Sequence, residues 1–533
     1  MSDLYVDIIH TDSIVPKSGA FIDISNVSQS LIGVVNASSY GTSGTQAAIQ
    51  AAIDYLNGSN GTIYLTPDTW IITSNLEIPD NVNLYIEFGA LVHINDNITL
   101  TVSGPISAGP YRLFTWTNLG EVVLENGQTV YAEWWGAKGD GTTQDTNAFN
   151  AAMDALTGGG TIRLLNKTYI VDTLTKWYYG IRMIGESMYS SILKSYSGNT
   201  VIELTNLGLT AFEMGNFCIQ GNGGSGHGIY VHDNSWAPSD YYIHDMRILN
   251  CGGKGYYALE GFTQKLRNIF IDNCGDNAIE GKFNNTSTLE NIYVGAVAAG
   301  KVGYRIYSSP LMISCNGINS GDYWGEFGLN VADGDSETVY SQPVMINCNV
   351  EDFEVIGIKC HSGSAPYMLR VTFLGHGTAN LKAMELNNSP NIVPTWQGVN
   401  FDYKAGGSWS GGYAVHCVTG GPPCIQLNGN TSVGLTNYYS AGHEVALPNI
   451  SSKYVVSYVQ GIGLNAAQIG GSSNYMKVDD DGNMTFTGTA KITAATTPLS
   501  QADASASNNS IYYSTTQSKL VYKDSGGSVH TLY

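Results

Sequence analysis

Charge is scarce in this sequence. Asp, Glu, Lys and Arg make up only 13% of its 533 residues, and the balance is acidic, with a net charge of −20. So few cations argue against nucleic acid as a partner, because phosphate binding needs a basic face. An anionic polysaccharide stays open, since a local basic patch could hold it; elsewhere the negative charge serves solubility. The eight cysteines form no zinc pattern and no dense disulfide framework, and they read as small buried core members. No run of about 18 apolar residues occurs, so no membrane-spanning helix is expected. The opening MSDLYVDIIHTDSIVPKSG lacks a basic stretch followed by an apolar one, so no secretory signal is expected either. An extracellular role would then require release by lysis, assembly into a virion, or a signal lost in cloning.

Turn formers and aromatics, by contrast, are plentiful: 63 glycines, 34 tyrosines and 11% aromatic residues. Together with the low charge, this points to an extended all-β protein. The length exceeds one ordinary compact core, so several domains or a solenoid is expected.

An internal duplication is visible. Ala47–Asp54 (AAIQAAID), Thr62–Leu65 (TIYL) and Thr69–Ile72 (TWII) are repeated as Asn147–Asp154 (NAFNAAMD), Thr161–Leu164 (TIRL) and Thr168–Val171 (TYIV). Each copy opens as an amphipathic helix; in the first, Ile49, Ala52, Ile53 and Leu56 share one face. A helix in that place would cap the exposed end of a β-stack.

A rung repeat follows. Ile243, Leu266, Leu289, Met312, Met345 and Leu369 align at steps of 23, 23, 23, 33 and 24 residues, with Met214 one step earlier. Two positions on stand Asn216, Asp245, Asn268, Asn291, Ser314 and Asn347. The apolar positions would stack inside a coil. The Asn/Asp column would occupy a bend needing left-handed backbone angles, where its side chains could hydrogen-bond from rung to rung. The longer steps mark insertions, Val231–Tyr242 and Gly321–Pro343, both rich in aromatics and carboxylates. Insertions in a solenoid tend to emerge on the binding face. Four segments result: 1–32, an N-terminal segment; 33–130, a degenerate opening repeat; 131–425, the coil proper; and 426–533, a β-rich C-terminal module suited to trimerisation.

The stretch Trp135–Asp145 (WGAKGDGTTQD), followed by a helix and GGGTIRLLNKTYIV, resembles the opening motif of pectate-lyase-superfamily β-helices. With the rungs, the resemblance covers residues 131–400. It implies an all-β, right-handed single-stranded parallel β-helix with N-terminal capping helices. It also implies kinship with phage tailspikes and capsule depolymerases, usually homotrimers acting on polysaccharide outside the cell or on a virion tail. The end, NNSIYYSTTQSKLVYKDSGGSVHTLY, is similar to the last segment of tail-fibre-like proteins. The first copy departs from the motif, with SSYGTSGT in place of the Asp-containing turn. Asp140 and Asp145 are read as structural, holding a turn or capping a helix. Gly226–Gly228 and Gly375–Gly377 are lone GHG tripeptides, without the blocks that accompany this motif in polygalacturonase-like hydrolases.

Within each rung a second short strand would put alternate side chains outward. That outward column reads Tyr230 and His232, Tyr257, Glu280 and Lys282, Arg305 and Tyr307, Asn330, Lys359 and His361, then Glu385. A lyase acting on a uronic acid needs a cation to neutralise the carboxylate and a base to take the adjacent proton. Arg305 or Lys282 would supply the first, and Tyr257, Tyr307 or His232 the second. A hydrolase needs two carboxylates, which Glu280 with Asp322 or Glu326 would provide. Tyr230, Asp322, Glu326, Lys359 and His361 are further substrate contacts. Trp236, Tyr323 and Trp324 are candidates for stacking on sugar rings, or else for a hydrophobic plug between loop and coil. No metal or cofactor is required, although Asp333, Asp335 and Glu337 could hold calcium. The expectation is thus a polysaccharide depolymerase working by β-elimination. A glycoside hydrolase, a non-catalytic carbohydrate-binding spike and an adhesion protein remain as alternatives.

Overall fold

The computed structural model describes residues 13–14, 22–23, 33–205, 211–232, 239–284, 286–317, 323–328, 341–353, 355–361, 364–376, 381–386, 395–403, 413–417, 426–428, 431–432, 437–439, 466–471, 474–478, 484–487, 500–508 and 510–531. Two units emerge, Met1–Lys453 and Tyr454–Tyr533. The first is a parallel β-solenoid.

Its opening turns are regular. Gly61–Leu65, Val82–Ile86 and Ile106–Ser107 stack in parallel on one face; Thr69–Ile72, Leu91–Ile94 and Phe114–Trp116 on a second; Leu76–Ile78, Thr99–Val102 and Glu121–Leu124 on a third. Alternation directs Ile63, Leu65, Trp70, Ile72, Leu84, Ile86, Val92 and Ile94 inward, each at most 1% exposed. The opening repeat, which departs from the motif, thus also winds into parallel turns, in the same unit as the turns that follow. Where the motif's aspartate is missing, Ser43 donates to Asp68 at 2.6 Å to tie the turn.

Helix α1 (Gln46–Leu56) precedes these turns and buries Ile49, Ala52 and Leu56; helix α2 (Thr146–Asp154) precedes the next ones and buries Phe149, Ala152 and Met153. Just before α2, the GDG turn is structural. Asp145, 2% exposed, accepts from the backbone N–H groups of Lys138 (2.7 Å) and Gly139 (3.1 Å), and Asp140 accepts from those of Thr142 and Thr143.

From Thr129 onward a seventeen-stranded parallel sheet runs to Asn428. Ile243, Leu266, Leu289, Met312 and Met345 all face inward at no more than 1% exposed. The next rung differs from the sequence alignment: Met345 pairs with Met368, not Leu369, and Leu369 faces outward. The bend column is left-handed throughout, with φ of 61° at Asn216, 51° at Asp245, 52° at Asn268 and Asn291, 51° at Ser314 and 52° at Asn347. Its side chains form a ladder: Asn291 donates to Asn268, and Asn268 to Asp245, both at 2.8 Å. Such a ladder ties each bend to the one on the next rung.

A ten-stranded parallel sheet forms another face: β1 (Ile202–Leu204), β2 (Ile229–Val231), β3 (Tyr256–Ala258), β4 (Ile279–Gly281), β5 (Val302–Ile306), β6 (Tyr323–Phe327), β7 (Ile356–Cys360), β8 (Lys382–Leu386), β9 (Tyr413–Cys417) and β10 (Asn437–Tyr439). Strand β6 corrects the sequence reading of Gly321–Pro343 as an emerging insertion. Its Tyr323–Phe327 portion is a rung, paired with β5 and β7.

The second unit is described by itself. Ala466–Gly471, Asn474–Val478 and Met484–Thr487 form an antiparallel meander, and a four-stranded sheet follows from Ser500 to Thr531 around Ala506, Tyr512 and Val521.

Candidate functional site: the outer face of the ten-stranded sheet

Pairing register places one outward residue per rung in line. Glu203, Tyr230, Tyr257, Glu280, Arg305, Glu326, Lys359 and Glu385 stand opposite one another in succession from β1 to β8. Glu326, and not Asn330, holds the sixth place; Asn330 lies outside the described residues. Beside this column His232, Lys282, Tyr307 and His361 follow the last strand residues, each N–H donating to the rung before. Adjacent rungs are about 4.8 Å apart, so side chains of neighbouring rungs meet.

The middle of the strip is sunken: Glu280 is 6%, Glu326 9% and His361 4% exposed, although all face away from the coil interior. Charged side chains tolerate such burial only when partnered, and here they are. Tyr307 Oη donates to Glu280 Oε1 at 2.8 Å, and Asn277 Nδ2 donates to Glu280 Oε2 at 2.6 Å. Arg305 Nε lies 3.0 Å from Glu326 Oε2, and His361 Nε2 lies 2.7 Å from Glu326 Oε1. Burial pushes the Glu326 carboxyl up, but the His361 hydrogen bond and the Arg305 charge outweigh it and hold the group below its ordinary range. Burial and the nearby Glu280 charge push the Tyr257 phenol up to about 12, and the same causes raise Tyr307 further. Both phenols therefore stand protonated at neutral pH. That suits donors of hydrogen bonds and counts against the expectation that either is the base of an elimination.

At the β2 end, His232 Nε2 sits 2.7 Å from Glu203 Oε1 and its ring stacks on Tyr230 at 4.1 Å. Tyr230 in turn lies parallel to Tyr257, 5.0 Å away and tilted by 6°. Rings stacked along the solenoid axis spend their faces on one another and turn their edges and hydroxyls outward. At the other end Lys359 donates to Tyr323 Oη at 3.3 Å; in the middle, Lys282 Nζ lies 3.5 Å from Glu260.

Other sequence candidates fall elsewhere. Trp324 alternates inward on β6, is 1% exposed and packs 4.4 Å from Tyr304, so it belongs to the core and cannot stack on a sugar. Trp236 and Asp322 lie outside the described residues, as do Asp333, Asp335 and Glu337.

Sequence reading missed a polar layer just before the column. Lys254 Nζ reaches Asp276 (2.9 Å) and Glu280 (3.4 Å) and lies over the Tyr257 ring, 4.4 Å from its centroid; Lys301 reaches Asp276 at 2.9 Å. His227 Nδ1 accepts from the Lys254 backbone N–H at 2.9 Å, and burial followed by the Lys254 charge lowers its pKa. The signal was in the register: His227, Lys254 and Asn277 each stand three places before a column residue. Burial alone would raise the Asp276 carboxyl; the two ammonium groups reverse this and hold it at about 2. Its charge therefore stabilises the fold above the unfolded carboxylate range near 3.8, and that contribution is lost as pH falls through about 2. Replacing Asp276→Asn should flatten the stability loss between those pH values, read from urea unfolding midpoints across the acid range.

Strand pairing has already fixed the fold when it is compared with known proteins. Residues 132–222 match a pectate-lyase-like family model. Its description is "Rhamnogalacturonase A/epimerase, pectate lyase-like", and the matched span ends before the sunken part of the strip. No curated protein sequence matches the chain. Among solved structures, ORF18 of Geobacillus virus E2 is 16% identical, covers 76% of this chain and 86% of its own, and gives a TM-score of 0.41. The mannuronan C-5 epimerase AlgE6 A-module of Azotobacter vinelandii is 16% identical, with coverage of 59% and 96% and a TM-score of 0.45. The enzymatically active domain of tailspike protein 2 from Bacteriophage CBA120 is 15% identical, with coverage of 59% and 47% and a TM-score of 0.31. The pectate-lyase-like fold rests on the pairings and on the matched segment, and none of these scores adds to it.

Proposed function

We propose that the strip on β1–β8 is the active groove of a polysaccharide depolymerase, and that it cleaves by glycoside hydrolysis. The supporting observation is the pair Glu280 and Glu326, sunken, two rungs apart and separated by Arg305. Two rungs amount to roughly 10 Å between backbones. Inverting hydrolases hold their carboxyls about 6.5–9.5 Å apart to admit a water, and retaining ones about 5–5.5 Å apart. The wider spacing favours inversion. Glu326, held ionised, activates the water. Glu280, an acceptor toward Tyr307 and Asn277 in the free protein, takes up a proton as bound sugar displaces water and delivers it to the leaving oxygen, with the Tyr307 hydroxyl fixing its orientation. Arg305 donates to hydroxyls of the sugar between them and so sets its position.

A second reading, β-elimination on an acidic polysaccharide, is favoured by one observation: Glu203 orients His232 at 2.7 Å, as a base needs. Lys282, two rungs on in the same flanking column, would receive the uronate. Incubation with a polysaccharide panel separates the readings. Hydrolysis yields reducing ends without ultraviolet absorbance, whereas elimination adds the absorbance of a new C=C bond. Folded protein that releases neither would leave a non-catalytic spike.

We further propose a homotrimer, on a virion tail or otherwise extracellular. Leu311, Ile313, Val344, Ile346, Tyr367 and Leu369 face outward in two neighbouring columns of the long sheet, an apolar stripe suited to a second copy. Light scattering should give three times the chain mass, and Ile313→Asp with Ile346→Asp should reduce it to one. A monomeric wild type would exclude the assembly.

A further inference from the structure

Away from the groove, helix α2 and the last of the N-terminal turns leave a cleft of about 640 Å³ between them. One wall is a single helical face, because Asn147, Asn150, Ala151 and Asp154 recur at positions i, i+3, i+4 and i+7. The methyl side chain of Ala151 keeps that wall open. Opposite runs the strand end and turn from Trp116 to Val122. Trp135, 4% exposed and 5.3 Å from the Phe114 ring, closes the floor. Across from it Lys176 and Tyr178 both reach Asp154, the ammonium at 3.1 Å from each carboxylate oxygen and the phenol at 2.8 Å.

We propose that this cleft is a second carbohydrate site, one that holds a neutral saccharide unit without cleaving it. Indole and phenol rings beside amides and a carboxylate match the two surfaces of a sugar, C–H face and hydroxyl edge. The charges select among sugars. Glu121 and Asp154 face one cation, Lys176, which already spans both oxygens of Asp154. The surplus is negative, so a uronate is repelled. One amide is also unspent: Asn150 Oδ1 is buried and has no hydrogen-bond partner among the described residues. Turned toward the cleft its side chain lines, it would accept from a sugar hydroxyl. Glu121 is exposed and the Asp154 side chain half-exposed, unlike the sunken Glu280 and Glu326, which separates this site from the groove.

The test titrates the full chain with maltopentaose, cellopentaose and chitopentaose, and with trigalacturonate as the anionic control, following tryptophan emission and binding heat. At least one neutral oligosaccharide should bind and change the emission, and trigalacturonate should leave the emission unchanged. Ala151→Trp, which fills the cleft, and Trp116→Ala, which removes a wall, should each weaken binding by about tenfold or more. Thermal melting checks that both fold, and if the filled variant does not, the Trp116→Ala result decides. Absence of binding by all three neutral sugars, or affinities unchanged in the folded variants, would overturn the proposal.

Discussion

Glu326→Gln should lower cleavage by roughly 10²–10⁴-fold with the melting temperature little changed, and Glu280→Gln should do the same. The substituted amides keep the shape of the carboxyls and can still accept one hydrogen bond, so the strip's packing survives while the proton chemistry does not. The double variant should lose little beyond either single one, because residues acting as a unit are not additive. Reducing-end release at saturating substrate is the measurement. The pH profile adds a second check: Glu326 is held below its ordinary range by His361 and Arg305, so the acid limb of activity should move to higher pH in His361→Ala. Retention of full activity in both single variants would remove this pair from the mechanism.

Trp324→Ala should destabilise the solenoid by about 3–5 kcal/mol, the cost of deleting a fully buried aromatic. Its ring lies 4.4 Å from Tyr304, which is itself 0% exposed and donates to the Ile292 carbonyl at 3.0 Å and the Asn316 carbonyl at 2.7 Å. The cavity would therefore open beside a hydrogen-bonded phenol as well as between two rungs. Tyr323→Ala, one residue away on the outer face, should cost less than about 1 kcal/mol, but it removes the partner of Lys359. Urea unfolding of the two variants side by side is the measurement. Equal, small effects would mean that the alternation on β6 is misread.

That contrast also marks how far sequence alone reached. The rung period, the inward column from Met214 to Met345 and the left-handed Asn/Asp bends were legible, since each follows from local rules that repeat at 23 residues: alternation, burial and the tolerance of Asn for positive φ. The outward column from Tyr230 to Glu385 was legible by the same arithmetic, except at β6. There the longer step hid which of two segments formed the rung. Only strand pairing moved Glu326 into the column and Trp324 into the core, as it also put Met368 in place of Leu369.

Other properties are not written in any one rung. Periodicity shows that Glu280 points outward, but not that it is 6% exposed, because that depends on what neighbouring turns pile around it. Nor does spacing show that Lys254 and Lys301 converge on Asp276, or that Glu326 is shared by Arg305 and His361. The sequence by itself determined a stacked coil and the face on which its reactive side chains would stand. Tertiary structure decided which of them are buried, partnered and held in a given protonation state, because desolvation and Coulomb energy depend on distances between residues 22 to 35 apart in the chain, brought within hydrogen-bond reach only by the winding of the coil.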